Sequence, residues 1–216
     1  MSQDITIRPL NATEVDLLAP LWRALLDHVA ELPGALVPVR PFEQSWPLER
    51  AEIVEALAGD SFILLASRGE EPVGYAWVKI EGPDPVWYTG DTKAELVHLS
   101  VVDGERGAGI GTALMDAMDA ELAARGVEDV EIGVDTANHE AIRFYERRGY
   151  RPDFHIFYGS PGKTLWACLR REEQDRKAGR GRFAPPEGET PRTSRRAEGT
   201  VDEVRYVSVI GASTAS

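Results

Sequence analysis

One cysteine, Cys168, stands in 216 residues. A lone thiol excludes an intrachain disulfide framework and any zinc site built from several cysteines. It falls in the apolar run 165–169 and reads as a small buried residue. Metal-ligand patterns are missing as well. His28, His139 and His155 have no partners at ligand spacing, so no metal is expected. Long apolar runs are absent. Stretches such as Phe62 to Ala66 fall far short of the roughly 20 residues that span a bilayer. The opening Met-Ser-Gln-Asp lacks the basic and apolar regions of a secretory signal. Positive charge is in deficit: 24 Lys and Arg face 36 Asp and Glu, a net charge of −12. That balance argues against broad nucleic-acid binding. A cytoplasmic protein with neither a membrane nor a nucleic-acid partner is expected.

An apolar fraction of 43% is enough for one real core. The charge deficit is uneven. Residues 1–170 carry 15 basic and 28 acidic side chains, whereas residues 171–216 carry 9 and 8. A negative field around the first part favours a cationic acceptor such as an amine. It also fits a merely well-solvated acidic surface. Residues 171–200 include 14 charged residues and three prolines, with Phe183 as the one large apolar group. Such a segment cannot bury enough surface to fold alone. The division expected is a domain over 1–170 and a charged, flexible tail over 171–216. Val201 to Ile210 regains some strand character, and its role stays open.

Along the first part, Ile5 to Arg8 alternates as a strand, stopped by Pro9. Asn11 with Glu14 marks a capping-box helix start, and that helix is expected to run to about Ala30. A Pro- and Gly-rich connector from Pro33 to Pro41 follows, then a helix from about Pro47 to Leu57. Phe62 to Ser67 and Val73 to Ile80 read as a hairpin around the turn Arg68 to Pro72. Glu81 to Asp91 is a loop. Glu95 to Val102 is a strand, Ile110 to Ala124 a helix, Val130 to Val134 a strand and Asn138 to Arg148 a helix. Strands near Phe154 to Tyr158 and Thr164 to Leu169 close the domain. The order gives an α+β (mixed α/β) class.

The most telling segment joins the strand ending at Val102 to the helix starting at Ile110. It holds Arg106 and three alternating glycines, Gly107, Gly109 and Gly111. Missing side chains let a ligand reach the backbone. The N–H groups of Arg106, Gly107, Ala108, Gly109, Ile110, Gly111 and Thr112 gather where a helix dipole favours negative charge. Arg106 adds a cation at the edge. The spacing does not fit the dinucleotide fingerprint, whose third glycine would fall at Thr112 or Leu114. A pyrophosphate cradle is the expected use; a bare tight turn is the bland alternative. A second block, Asn138-His-Glu-Ala-Ile-Arg-Phe-Tyr-Glu-Arg-Arg-Gly-Tyr150, has Asn138 as a helix cap and Gly149 at its left-handed end.

Arg106, Gly109 and Gly111 resemble the acyl-CoA signature of the GNAT superfamily of N-acetyltransferases. Asn138, Ala141, Phe144, Tyr145, Gly149 and Tyr150 are similar to its second signature. The two cover roughly residues 93–158, and the order of elements extends the likeness over about 4–170. The resemblance implies a central mixed sheet of about seven strands flanked by about four helices. It implies acetyl-CoA as co-substrate, wedged between parallel strands that end near Val101 and Asp135. Backbone groups of Leu99 and Val101 would pair with the pantetheine arm, the pyrophosphate would rest on residues 106–112, and Asn138 joins the cofactor-binding set. Tyr145 matches the family's acid for the departing thiolate. Ala-Glu-Leu-Val resembles members that use a glutamate, here Glu95, as base. His98 lies three residues on, where strict alternation puts it on the opposite face, although a bulge would change that. Glu95, His98 and a water chain all stay open as the base. Trp87, Tyr88, Phe154, Phe157 and Tyr158 are candidate acceptor-pocket walls. The implied function is N-acetylation of a small or peptide-borne amine by direct attack on the thioester. An acyl-CoA-binding sensor without turnover is the alternative, and acyl transfer to a hydroxyl or of a longer acyl group is not excluded. The acceptor's identity is not legible, and a homodimer stays open.

Overall fold

The computed structural model describes residues 4–33, 38–84, 86 and 90–156. Residues 4–152 of these lie in one compact unit, and Asp153 begins a second. The first unit holds five strands: β1 (Ile5–Pro9), β2 (Phe62–Arg68), β3 (Glu71–Glu81), β4 (Lys93–Val101) and β5 (Asp129–Ile132). They form one sheet in the order β1-β2-β3-β4-β5. The first three pairings are antiparallel and β4–β5 is parallel. The helices are α1 (Ala19–Glu31), α2 (Phe42–Ala56), α3 (Ile110–Arg125) and α4 (His139–Arg147). This is the mixed α+β class expected. Five strands are present among the described residues; residues 154–156 are not strand, and 157–216 lie outside them.

Alternation along the strands sends side chains to two cores. On one face, Ala76, Val78, Ala94, Leu96, Leu99 and Val101 pack under α3 and α4. The buried stripe of α3 is Ile110, Leu114, Met115, Met118 and Leu122, as its spacing requires. Each such burial contributes roughly 1.5–3 kcal/mol. On the other face, Ile63, Leu65, Tyr75, Trp77 and Val97 pack against Val15, Leu18, Leu21 and Ile53.

Two helix boundaries differ from the sequence expectation. The helix expected from Asn11 is a 3-10 segment, Ala12–Leu18, followed by α1. Pro20 explains the break, since it has no N–H and crowds the carbonyl four residues back, whereas the first turn of a helix tolerates it. The Glu14 carboxylate accepts from the Asn11 N–H at 3.0 Å, as the capping box demands. Helix α2 starts at Phe42, not Pro47, and carries Pro47 inside it. Phe42 stacks on Trp46 with centroids 6.3 Å apart, and the Arg23 guanidinium lies 3.8 Å over the Phe42 ring. That packing offsets the hydrogen bond Pro47 cannot make. The β2–β3 hairpin is tighter than expected. Arg68 pairs with Glu71 across Gly69 and Glu70, and Gly69 takes the positive φ (62°) of the first turn position. β5 stops at Ile132, two residues before the expected end.

Candidate functional site

The site forms where β4 and β5 part. Their pairing runs from Lys93↔Asp129 to Leu96↔Ile132 and stops there. β4 continues to Val101 with β3 alone beside it. At the parting the β3–β4 register slips: Trp77 faces His98, while Val78 faces Leu96. Val97 is thus the extra residue of a β-bulge, which bends its strand and increases local twist. Beyond it, the Val102 N–H donates to the Val73 carbonyl at 3.0 Å. The Gly74/Val101 pair is therefore of the non-bonded type, and the backbone groups of Val101 and, by alternation, Leu99 point away from β3. They face the edge that β5 has left.

That edge leads into the glycine turn. Gly107 and Gly109 have φ of 77° and 81°, values L-residues rarely adopt. Nothing lies within 4 Å of where a Cβ on Gly109 would sit. Gly109 caps α3, and the Ala113 N–H is the first to find a partner, the Gly109 carbonyl at 2.9 Å. The N–H groups of Gly107 through Thr112 have no acceptor among the described residues. Six donors at a helix N-terminus fit a diphosphate. Arg106 departs from the expectation. Its guanidinium does not stand free at the rim. Nε donates to the Val101 carbonyl (3.1 Å), and NH1 meets Asp103 (2.6 Å) and His28 Nδ1 (3.3 Å).

On the α3/α4 side, the Asn138 side chain is buried and accepts from the Ala141 N–H at 3.1 Å. Such a cap stabilises a helix by about 1 kcal/mol. Gly149 ends α4 with φ 96°. Tyr145 is buried, edge-on to Phe144 and Tyr150.

On the α1/α2 side, the bulge places Glu95 and His98 on the same face. This corrects the opposite-face placement that strict alternation gives. Glu95 stands across from Lys79. Burial raises the Glu95 carboxyl to about 7; Glu81 and Glu131 also push it up, against Lys79 and Lys93. His98 is buried, 4.8 Å from the Trp22 ring and 5.2 Å from Trp77 between centroids. Its Nδ1 lies 3.4 Å from the Tyr75 hydroxyl and 3.6 Å from Glu49. Burial, with Lys79 nearby, pushes the imidazole well below its ordinary value, so it is neutral. Lys79 also pairs with Glu52 of α2. Glu49, Glu52 and Lys79 were not singled out from the sequence. The hairpin register carried a signal for Lys79, but nothing local marks the two glutamates of α2. Trp87, Tyr88, Phe157 and Tyr158 lie outside the described residues, and Phe154 belongs to the second unit.

Residues 22–150 match the model of the Acetyltransferase (GNAT) family. The chain belongs to this family. Among relatives, mycothiol acetyltransferase of Thermobispora bispora is 35% identical over 117 residues, which is 51% of this chain and 37% of that protein. The mycothiol acetyltransferase of Beutenbergia cavernae is 40% identical over 86 residues, 39% of this chain and 26% of that one. The match thus spans well under half the length of these curated relatives. Among solved structures, a GCN5-related N-acetyltransferase from Ralstonia eutropha superposes with TM-score 0.59 at 22% identity, over 74% of this chain and all of that one. Aminoglycoside N-acetyltransferase AAC(6')-Iy in complex with CoA gives TM-score 0.54 at 18% identity, over 74% of this chain and 97% of that one. These two likenesses establish the GNAT fold. No helix among the described residues is long and apolar enough to cross a membrane.

Proposed function

We propose that the protein is an acetyl-CoA-dependent N-acetyltransferase acting on a cationic primary amine, and that it works in the cytoplasm, where a chain with one cysteine needs no disulfide. One observation carries the reading. The backbone edge of Leu99 and the Val101 N–H, left where β4 parts from β5, leads through the turn to six N–H groups that have no acceptor among the described residues. An extended pantetheine arm ending in a diphosphate fits that path.

Acetyl-CoA supplies the acetyl group as an activated thioester. Leu99 and Val101 would hold the pantetheine arm as a pseudo-strand, and a backbone N–H there would polarise the thioester carbonyl, a contribution of about 3 kcal/mol. Residues 107–112 would hold the diphosphate. Glu95 takes the proton that the acceptor ammonium must lose before its nitrogen bonds to the acetyl carbon. A carboxyl near 7 suits a base working at neutral pH. His98, buried and neutral, is the weaker candidate. Tyr145 gives its phenolic proton to the sulfur as the carbon–sulfur bond breaks, and the second proton of the attacking nitrogen, lost once it bonds to carbon, restores the phenol. Asn138 acts by capping and aiming α4.

Glu49, Glu52, Glu81 and Glu131 around this face, together with the net charge of −12, support a cationic acceptor. The named acceptors of the relatives and neighbours extend the candidates to aminoglycosides and the acceptor of the mycothiol enzymes. Release of free thiol from acetyl-CoA, measured with those compounds, polyamines, amino acids and peptide N-termini, tests the reading. Tight CoA binding with no thiol release for any acceptor would favour a sensor.

A further inference from the structure

We propose that His28, in the last turn of α1, is a positioning residue for the diphosphate cradle. It acts by clamping Arg106. The inference rests on the acyl-CoA reading of the glycine turn.

A guanidinium has five N–H donors and no acceptor. At the Arg106 NH1–His28 Nδ1 contact of 3.3 Å, the imidazole nitrogen must therefore accept. That fixes the tautomer: the proton sits on the other ring nitrogen, Nε2, which is buried. Two further contacts complete the clamp. Arg106 Nε closes the turn onto the Val101 carbonyl at 3.1 Å, and NH1 meets Asp103 at 2.6 Å. The guanidinium is thus held from three directions: the end of β4, the turn itself, and a helix from the far layer. NH2 has no partner among the described residues and remains for a ligand anion. The side chain is 14% exposed, which favours a fixed orientation over a swinging one.

The clamp sits one residue before Gly107, where the N–H groups without an acceptor among the described residues begin. Gly107 and Gly109 make that backbone permissive, and permissive backbone holds its N–H groups in one direction only when something outside it is rigid. Asp103 is 85% exposed and cannot supply that rigidity alone. His28 belongs to α1, whose Leu21, Trp22 and Leu25 are buried, so it ties the turn to a packed helix. Preorganisation of this kind lowers the cost of binding the diphosphate. It does not alter the chemistry at the thioester.

Calorimetry with CoA on the full chain tests the clamp, using His28→Leu and His28→Gln. The leucine removes the acceptor and the glutamine restores one. His28→Leu should weaken CoA binding about tenfold, the scale of a hydrogen bond to a charged group. His28→Gln should recover most of that loss. Pantetheine, which lacks the diphosphate, should bind both variants as it binds the native protein, read by ligand-observed NMR. Equal loss for CoA and pantetheine would show general damage to α1 and overturn the proposal. Unchanged CoA affinity in His28→Leu, or no recovery in His28→Gln, would overturn it as well. A native chain that binds no CoA would fail earlier, taking the acyl-CoA reading with it.

Discussion

Glu95, the proposed base, would carry the pH dependence of the acceptor face in one carboxyl. Its burial raises it to about 7, so the charged, basic form appears only as pH rises through neutrality. Turnover should climb over the same interval. Glu95→Gln keeps the shape and removes the basicity; turnover at neutral pH should fall by ~10²-fold and recover partly at high pH, as free amine accumulates. The linkage has a definite sign. A carboxyl raised from 4.5 to about 7 on folding favours the folded state below 4.5, and that advantage is lost as pH rises to 7. Glu95→Gln should therefore leave the Tm almost unchanged near pH 4 and raise it above pH 7, by thermal denaturation at both. Tyr145→Phe addresses the opposite proton. CoA affinity by calorimetry should hold while steady-state turnover drops by roughly 10²-fold; undiminished turnover would make the ring a packing group. Both residues were proposed from motif position. The raised pKa was not, because it comes first from burial and then from Glu81 and Glu131, brought near by strand register and working against Lys79.

At the scale of elements, the glycine turn and α4 were readable because their geometry is local. Left-handed φ at Gly109 and Gly149, and the Asn138 cap, each follow from a residue type at a fixed offset. The bulge at Val97 was not readable, since an extra residue shows only against the partner strand. The start of α2 was misread because Pro47 signals a helix start locally, while the Phe42–Trp46 stack and Arg23 supply the packing that overrides it. Arg106 looked free because its partner His28 lies 78 residues away. Gly109→Asp tests the cradle. A side chain at φ 81° is strained, and a carboxylate there would repel a diphosphate. CoA binding should weaken by well over tenfold by calorimetry, while the melting temperature falls only by the cost of that strain; unaltered affinity would remove the phosphate assignment.

At the scale of the molecule, one sheet separates two cores, one under α3 and α4 and one under α1 and α2. The buried members of both among the described residues lie within residues 10–145, and 171–200 hold one large apolar side chain, so residues 171–216 should be dispensable for them. Deleting 171–216 should leave the Tm and CoA affinity close to those of the full chain. A large drop in either would assign that segment a structural part. The same division of faces has a further consequence. Tyr145 belongs to the core on one side of the sheet, and Glu95 faces the other. In the proposed reaction a proton enters the protein on the α1/α2 side and another leaves it on the α3/α4 side. The nitrogen has a second proton to lose once it bonds to carbon, and relayed through the gap where β4 and β5 part it restores the Tyr145 phenol. One proton per cycle is then left over, and it leaves for water through Glu95, so each turnover acidifies its medium by one equivalent.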